Sequence, residues 1–515
     1  MRVALTVGDF LRRGALVYGD RLAAVDEPSV PGSLGSLTYT ELDARARGMA
    51  LALDAMGVGH GERVAIVSPN SARFLTSYFG VSAFGRVLVP INFRLTTEEI
   101  AYIVEHSGAS VLLYDPDLTE VVAGIPVAHR FALDGSEDAD LFAPAATGQQ
   151  PQEWLGVEED TCSVNYTSGT TARPKGVQLT HRNCWLNAVT FGWHTGVSDR
   201  DVLLHTLPMF HCNGWGMPYA VTGMGGTHVV LRKVDGEDIL SRVERHGVTL
   251  MCGAPAVVAA ILDAASTRQQ DGREVPGRGT VRIVVAGAPP PSKTIERVET
   301  ELGWEFIQIY GLTETAPLLT INRAPAEWGD DSPAERSVRL SRAGVPAIGV
   351  QIAVDTDGEV LARSNHVFEG YWEQPVETAA ALEGGWFHTG DGGFLDDAYV
   401  VISDRKKDVI ITGGENVSSI EVEDCLYQHA AVAEVAIIGV PDEKWGETIK
   451  ALVVLRDGAT ADEGELIAHC RDRLAHFKAP TSVEFRQALD RTATGKLQKY
   501  KLRQPFWDGR ERAVN

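Results

Sequence analysis

The chain reads as an α/β protein: a large N-terminal part built on a mostly parallel sheet, followed by a small α+β unit. Three observations lead there. Short β-branched runs stop at glycine or proline, segments of helical periodicity lie between them, and a charged link near residue 404 separates this alternation from a different order of elements.

The first helix follows from Leu42, Ala46, Met49, Leu53 and Met56, whose steps of four, three, four and three mark one buried face running from Thr40 to Gly57. Thr96 and Glu99 form a capping-box pattern ahead of Ile100, Ile103 and Val104, which starts a second helix. "RVAIVSP" and "SVLLYD" flank this region as short strands. "VTLMCGAP", "VRIVVAGA" and "FIQIYG" continue the theme, each ending where an open parallel sheet presents ligand-binding loops. The polar, Pro/Gly-rich stretches 134–152, 266–279 and 322–342 show neither period and read as surface loops. No internal repeat is present.

The domain boundary falls in "ISDRKKDVIITGGENVSSIEVED", giving an N-terminal domain of 1–403, a link at 404–408 and a C-terminal domain of 409–515. In the latter, Ser418 with Glu421 caps a helix, "AEVAIIGV" and "KALVVL" read as strands, and Leu466, Cys470, Leu474 and Phe477 mark another helical face.

With 69 acidic against 47 basic residues the formal charge is −22, which repels nucleic-acid phosphates and anionic membranes. Hydrophobic residues at 44% and charged residues at 23% are the proportions of a folded soluble enzyme. No apolar run is long enough to cross a bilayer, and the N-terminal segment carries Asp9 within its short apolar stretch, so a cytoplasmic location is expected. The six cysteines show no CxxC spacing, which argues against a zinc site and for reduced, buried thiols.

"YTSGTTARPKGVQLTHRN" packs three hydroxyls and a glycine into 168–171 and places Lys175 just beyond. Backbone N–H groups of such a turn wrap phosphate oxygens and the lysine adds charge, yet Pro174 and Gly176 flank the lysine where a Walker loop requires glycine and Ser or Thr. "YGLTET" sets Glu314 on a loop after an apolar strand, where a carboxylate can hold magnesium beside phosphates. "FHTGD" ends in Asp391, a fixed acceptor suited to two ribose hydroxyls, and "LDRTATGKLQK" presents Lys496 on a short turn. Taken singly, each is also what a solvated turn contains; their combination in one line is what carries weight.

In that order, with "DRKKD" between the last two, the segments resemble the adenylate-forming superfamily of acyl-CoA synthetases, luciferases and nonribosomal-peptide adenylation domains, over essentially the whole chain. "LPMFHCNGW" and "RKKDVIITGGENVSSIEVE" are most similar to acyl-activating enzymes that make CoA thioesters of medium-chain, branched or aryl acids. The resemblance implies a large domain of βαβ subdomains plus a small barrel-like part, with a small mobile α+β C-terminal domain. It implies ATP and Mg2+, with CoA as co-substrate: a carboxylate attacks the α-phosphate to give an acyl-adenylate and pyrophosphate, and a thiol then displaces AMP.

Position by position, the resemblance assigns the β- and γ-phosphates to Thr167, Ser168, Gly169, Thr170, Thr171 and Lys175, and the metal to Thr167 and Glu314. Adenine falls to Gly287, Ala288, Pro289 and Tyr310, with Gly311 and Thr313 in the same nucleotide segment; the ribose falls to Asp391 and Arg405. Lys496 matches the mobile catalytic lysine, and His211 lies near the carboxylate and the pantetheine channel, with Trp215, Gly216 and Met217 lining the acyl pocket. Lys407 is the hinge, and Gly413, Gly414, Glu415 and Asn416 replace Lys496 for the thioester step. The absence of aspartate at the start of "FHCNGW" argues against amino-acid substrates. Transfer to a carrier protein or an amine, activation of a non-carboxylate oxyanion and a non-catalytic nucleotide-binding relative stay open, as does a homodimer.

Overall fold

The computed structural model describes residues 2–167, 173–287, 290–405, 408–412, 415–442, 444–491 and 497–507, without the side chains of Arg405 and Asn416. The N-terminal part holds two large sheets. The seven-stranded one runs Gly370–Tyr371, Lys175–Thr180, Thr161–Thr167, Val87–Ile91, Arg63–Val67, Val111–Tyr114 and His129–Ala132, and its last five strands are parallel. The nine-stranded one is parallel from Glu305–Tyr310 through Arg282–Val285, Leu250–Gly253, Val202–His205 and Thr227–Val230 to Leu22–Val25.

Period-two alternation divides each sheet between two cores. Val64, Ile66, Leu88, Val111 and Leu113 of the first sheet join Leu203, Leu250, Val284 and Ile307 of the second in one shared cluster. Their neighbours in sequence point away: Ala65, Val67 and Leu112 into one outer core, Leu204, Met251 and Ile283 into another. Helices fill the layer between the sheets. Ala72–Ser82 is buried at every residue, as a helix covered on all sides must be. Each fully buried Leu, Ile or Phe contributes about 1.5–3 kcal/mol of transfer free energy, so this shared core is the main force holding the two sheets in one domain.

The barrel-like part is a four-stranded antiparallel sheet, Val350–Val354, Glu359–Ser364, Phe387–Asp396 and Tyr399–Arg405, bridged to the large domain through Gly344 and Val400. The C-terminal part pairs Val432–Asp442 with Gly446–Leu455, adds Ile410–Thr412, Glu415–Val417 and Ser482–Phe485, and covers the sheet with Ser419–Tyr427 and Glu463–Arg471.

Several local expectations shift. The helix expected from Thr40 spans Tyr39–Ala55 and is preceded by an unexpected helix, Gly8–Tyr18; Thr38 caps it, its hydroxyl and the Glu41 carboxylate forming the box. The expected loop at 266–279 begins inside helix Pro255–Gln270. The expected loop at 322–342 contains helix Pro333–Leu340, started by Ser332, Pro333 and Glu335; only Leu340 supplies a large buried apolar side chain, too little to show a period. Phe477 lies beyond the end of Glu463–Arg471, on a 3-10 turn, and is 47% exposed. All six cysteines are buried and free. No described helix is long and apolar enough to cross a membrane.

Buried histidines, His181, His205, His228 and His366, make this fold acid-sensitive. His205 Nε2 lies 3.0 Å from His228 Nδ1, the Thr222 hydroxyl is 2.9 Å from His228 Nε2, and the Val7 N–H donates to His181 Nδ1 at 3.3 Å. Burial pushes His181 and His205 down to about 3 and, with the charge of His205, holds His228 well below the ordinary value. Unfolded histidine takes a proton near pH ~6.5, so between that pH and about 3 the unfolded chain binds more protons and stability rises with pH. The melting temperature is therefore expected to fall as pH is lowered from 7.5 to 5, with His205→Asn showing a shallower fall; a flat wild-type profile would contradict this.

Candidate active site

The candidate residues sit where parallel strands end. Thr167 closes Thr161–Thr167, Gly287 follows Arg282–Val285 with φ of 98°, Tyr310 closes Glu305–Tyr310, and His211 follows Val202–His205. Both sheets therefore present them at their carboxyl ends, where open α/β sheets bind ligands.

Hydrogen bonds then join the separate segments. The Tyr310 hydroxyl donates to Asp391 Oδ2 at 2.8 Å, and Asp391 is only 6% exposed. Asp391 lies within strand Phe387–Asp396, not on the turn expected from the sequence, and its segment is held from beneath: the Gly390 N–H donates to Glu359 Oε1 at 2.8 Å and the Asp391 N–H to Thr389 Oγ1 at 3.1 Å. Arg405 stands opposite Asp391 in antiparallel register. The Tyr371 hydroxyl donates to Glu314 Oε1 at 2.9 Å, while the Phe368 N–H donates to the Glu314 carbonyl at 2.7 Å. Lys175 Nζ lies 4.7 Å from the Tyr371 ring centroid and is the register partner of Thr167. Thr167, Lys175, Glu314, Tyr310 and Asp391 thus belong to one connected region.

The segment after His211 is tied into the same region. Cys212, Asn213, Trp215 and the glycines around them have positive φ, so the chain makes a tight left-handed passage across 212–216. Cys212 Sγ meets the Thr313 carbonyl at 3.8 Å, Asn213 Nδ2 donates to Ser163 Oγ at 2.7 Å, and Asn187 Nδ2 donates to the Trp215 carbonyl at 3.3 Å. Asn187 Oδ1 also accepts the Leu318 N–H at 3.1 Å, so one buried amide joins this passage to the Glu314 loop. Gly216 is required beside it, because φ is 76° and a Cβ would lie 2.4 Å from Asn187 Nδ2. Trp215 and Met217, 3% and 1% exposed, are packed into the core shared by the sheets.

The sequence is similar to the family model for AMP-binding enzymes over residues 11–372, and to that for the AMP-binding enzyme C-terminal domain over residues 421–496. The chain belongs to the AMP-binding enzyme family. It is 37% identical to a 2-methylpropanoate–CoA ligase of Humulus lupulus, over 97% of this chain and 94% of that protein. Among solved structures it resembles an anthranilate CoA ligase in complex with anthranoyl-AMP, with a TM-score of 0.87 at 27% identity over 98% of both chains. An amide bond synthetase from Marinactinospora thermotolerans matches with a TM-score of 0.84 at 27% identity, over 97% of this chain and 99% of that one.

In this AMP-binding enzyme, Ser168, Gly169, Thr170, Thr171, Ala288, Pro289, Lys407, Gly413, Gly414 and Lys496 lie outside the described residues, as do the side chains of Arg405 and Asn416. Glu415 is described, at the start of strand Glu415–Val417 opposite Thr412. Asp404, placed in the expected link, bonds to the small domain: its Oδ2 accepts the Ser419 N–H at 3.0 Å. Nearby, Lys499 pairs with Glu423 at 2.8 Å and Arg503 with Asp408 at 2.9 Å. The two domains also touch directly, the Ser292 N–H donating to Asp424 Oδ1 at 3.0 Å.

Among the described residues no group of three or more His, Cys, Asp or Glu side chains is arranged to hold a metal. Glu314 and Thr167 carry oxygen donors of the kind Mg2+ takes, and one protein carboxylate is enough for that ion where phosphate oxygens and water supply the rest. A separate small crevice, lined by residues that include Asp26, Arg73, Asp115 and Arg232, contains none of these groups. Arg232 clamps Asp115 there at 2.6 and 2.7 Å, so its charges are paired internally.

Sequence reasoning did not single out Tyr371, Glu359, Asn187 or Asn213. Tyr371 stands in "GYWEQP", where an aromatic beside glycine carries no local sign of a carboxylate partner far along the chain.

Gly311 gives the most direct test of the loop geometry, since a Cβ there would lie 1.6 Å from the Pro317 carbonyl oxygen. Gly311→Ala must displace the Glu314 turn. It is expected to cost about 1–3 kcal/mol in unfolding and to reduce nucleotide-dependent activity far more than that destabilisation explains; wild-type stability and turnover would contradict the geometry.

Proposed function

We propose that the enzyme is an ATP-dependent acid:CoA ligase acting on a small branched-chain or aryl carboxylic acid. The observation that carries this reading is the connected set Thr167, Lys175, Glu314, Tyr310 and Asp391, which gathers a cation, a metal-type carboxylate and a ribose-type carboxylate beside the carboxyl ends of the strands that close at Thr167 and Tyr310. The 2-methylpropanoate ligase and the anthranilate ligase among its relatives support the class of acid.

In the first step a carboxylate oxygen of the acid bonds to the α-phosphorus as the bond to the bridging oxygen of pyrophosphate breaks. Negative charge then accumulates on the leaving group, and cations already fixed there lower the barrier because they need no reorganisation. Lys175, beside Thr167 in the strand pair, supplies one such charge. Mg2+, held by Glu314 and Thr167 and by the phosphates themselves, would neutralise the β- and γ-oxygens. Asp391 accepts the ribose hydroxyls, with Tyr310 orienting the carboxylate and offering its ring to adenine. Lys496 meets the α-phosphate from the small domain.

In the second step the CoA sulfur, its proton lost, bonds to the acyl carbon and AMP leaves with the bridging oxygen. The cleft must exchange the lysine turn for a path open to the thiol, which a rotation of the small domain about 404–408 provides, with 413–416 taking the vacated place.

Pyrophosphate release over a panel that includes 2-methylpropanoate, medium-chain and aryl acids, run with and without CoA, tests this. The expected result is acid-dependent pyrophosphate release and a CoA thioester detected by mass. Adenylate that accumulates regardless of CoA but yields amide with an added amine would instead establish the amide-forming reading suggested by the synthetase likeness. ATP binding with no pyrophosphate from any acid would leave a nucleotide-binding protein without turnover.

A further inference from the structure

We propose that Tyr371 is a positioning residue for the adenylation step, orienting the Glu314 carboxylate with its hydroxyl and holding the Lys175 ammonium against its ring. The inference rests on the reading of this region as a MgATP site and adds to it the element that couples metal and phosphate binding.

The geometry is built into the edge of the seven-stranded sheet. The two-residue strand Gly370–Tyr371 pairs antiparallel with Lys175–Thr180, with Tyr371 opposite Val177. Lys175 lies two residues before Val177 on the same face, so the ring and the lysine form a diagonal cross-strand pair, within reach for an aromatic and a long side chain. The main chain on either side is pinned: the Trp372 N–H donates to the Gly176 carbonyl at 2.7 Å and the Tyr371 N–H to Thr378 Oγ1 at 2.9 Å. Phe368 packs edge-on against the ring, with centroids 4.8 Å apart and planes at 66°. The ring therefore has little freedom before any ligand arrives.

Its two ends act on different groups. At one end the hydroxyl donates to Glu314 Oε1 at 2.9 Å. A phenol ordinarily gives up its proton only near pH ~10, so the hydroxyl remains a donor throughout the physiological range. At the other end the ring face attracts the ammonium, a contact that restrains a lysine whose rotamer freedom would otherwise be lost on meeting phosphate. Preordering both groups on one rigid residue moves that entropic cost from ligand binding to folding.

The two ends separate by substitution. Tyr371→Phe keeps the ring and removes the donor; Tyr371→Leu removes both. Mn2+ binding in the presence of ATP, followed by electron paramagnetic resonance, and ATP and AMP affinities from calorimetry are the readouts. Tyr371→Phe is expected to weaken Mn2+ binding in the ATP complex about tenfold, with ATP affinity at saturating metal nearly unchanged. Tyr371→Leu is expected to show the same metal defect and to lose a further fewfold, about threefold, in ATP affinity at saturating metal. AMP affinity should stay at the wild-type value in both variants, because AMP lacks the β- and γ-phosphates.

Wild-type metal dependence in Tyr371→Phe overturns the proposal. So does equal weakening of ATP and AMP accompanied by a lowered melting temperature, which would make the residue a prop for its strand. A wild-type protein that binds no ATP would instead remove the MgATP reading itself, and is recognised before either variant is made.

Discussion

Two phenol-to-carboxylate hydrogen bonds, Tyr371 to Glu314 and Tyr310 to Asp391, are the interactions on which the site depends. A triphosphate with its metal must be met by carboxylates and cations at fixed separations, yet these groups come from segments far apart in the chain. Carboxylates brought close together repel one another and tend to turn toward water unless each is held by a donor. Neutral phenol donors provide that hold without adding a competing cation. Each joins separate elements: Tyr371 links the sheet edge to the turn at Thr313–Thr315, and Tyr310 links a strand end to strand Phe387–Asp396.

These bonds can be short and directional only because the scaffold beneath is stiff. The core shared by the two sheets sets the strand ends at fixed positions, and the fully buried helix Ala72–Ser82 between them leaves no slack for the sheets to slide. Asn187 carries the same rigidity upward, one side chain bonding to the Trp215 carbonyl and the Leu318 N–H so that the passage after His211 and the Glu314 loop move together. The small domain is attached differently. Its described contacts with the large domain include Asp404 with Ser419 and Ser292 with Asp424, which are polar, unlike the apolar core that joins the two large sheets.

Much of this was legible in the sequence where local physics decides. The Thr96 and Glu99 capping box and the strands around Val64–Val67 and Ile283–Val285 follow from periodicity and short-range hydrogen bonding, and they occur where the pattern places them. Elements defined by polar start signals were harder: Ser332 and Glu335 begin a helix whose face buries almost nothing apolar. Thr167, Glu314, Tyr310 and Asp391 were named as candidates because each sits in a distinctive motif. Tyr371, Asn187 and Glu359 were not, because their roles consist of bonds to residues distant in sequence, such as the 57 positions between Tyr371 and Glu314. No short-range pattern encodes a partner that far away.

Whether these loops converge on one nucleotide is tested most directly by a crystal structure of the protein with ATP and Mg2+. The ribose hydroxyls are expected within hydrogen-bond distance of Asp391 and the β- and γ-phosphates between Lys175 and Glu314. Nucleotide lodged in the crevice of Asp26, Asp115 and Arg232, or held with Asp391 and Glu314 both facing solvent, would contradict that convergence.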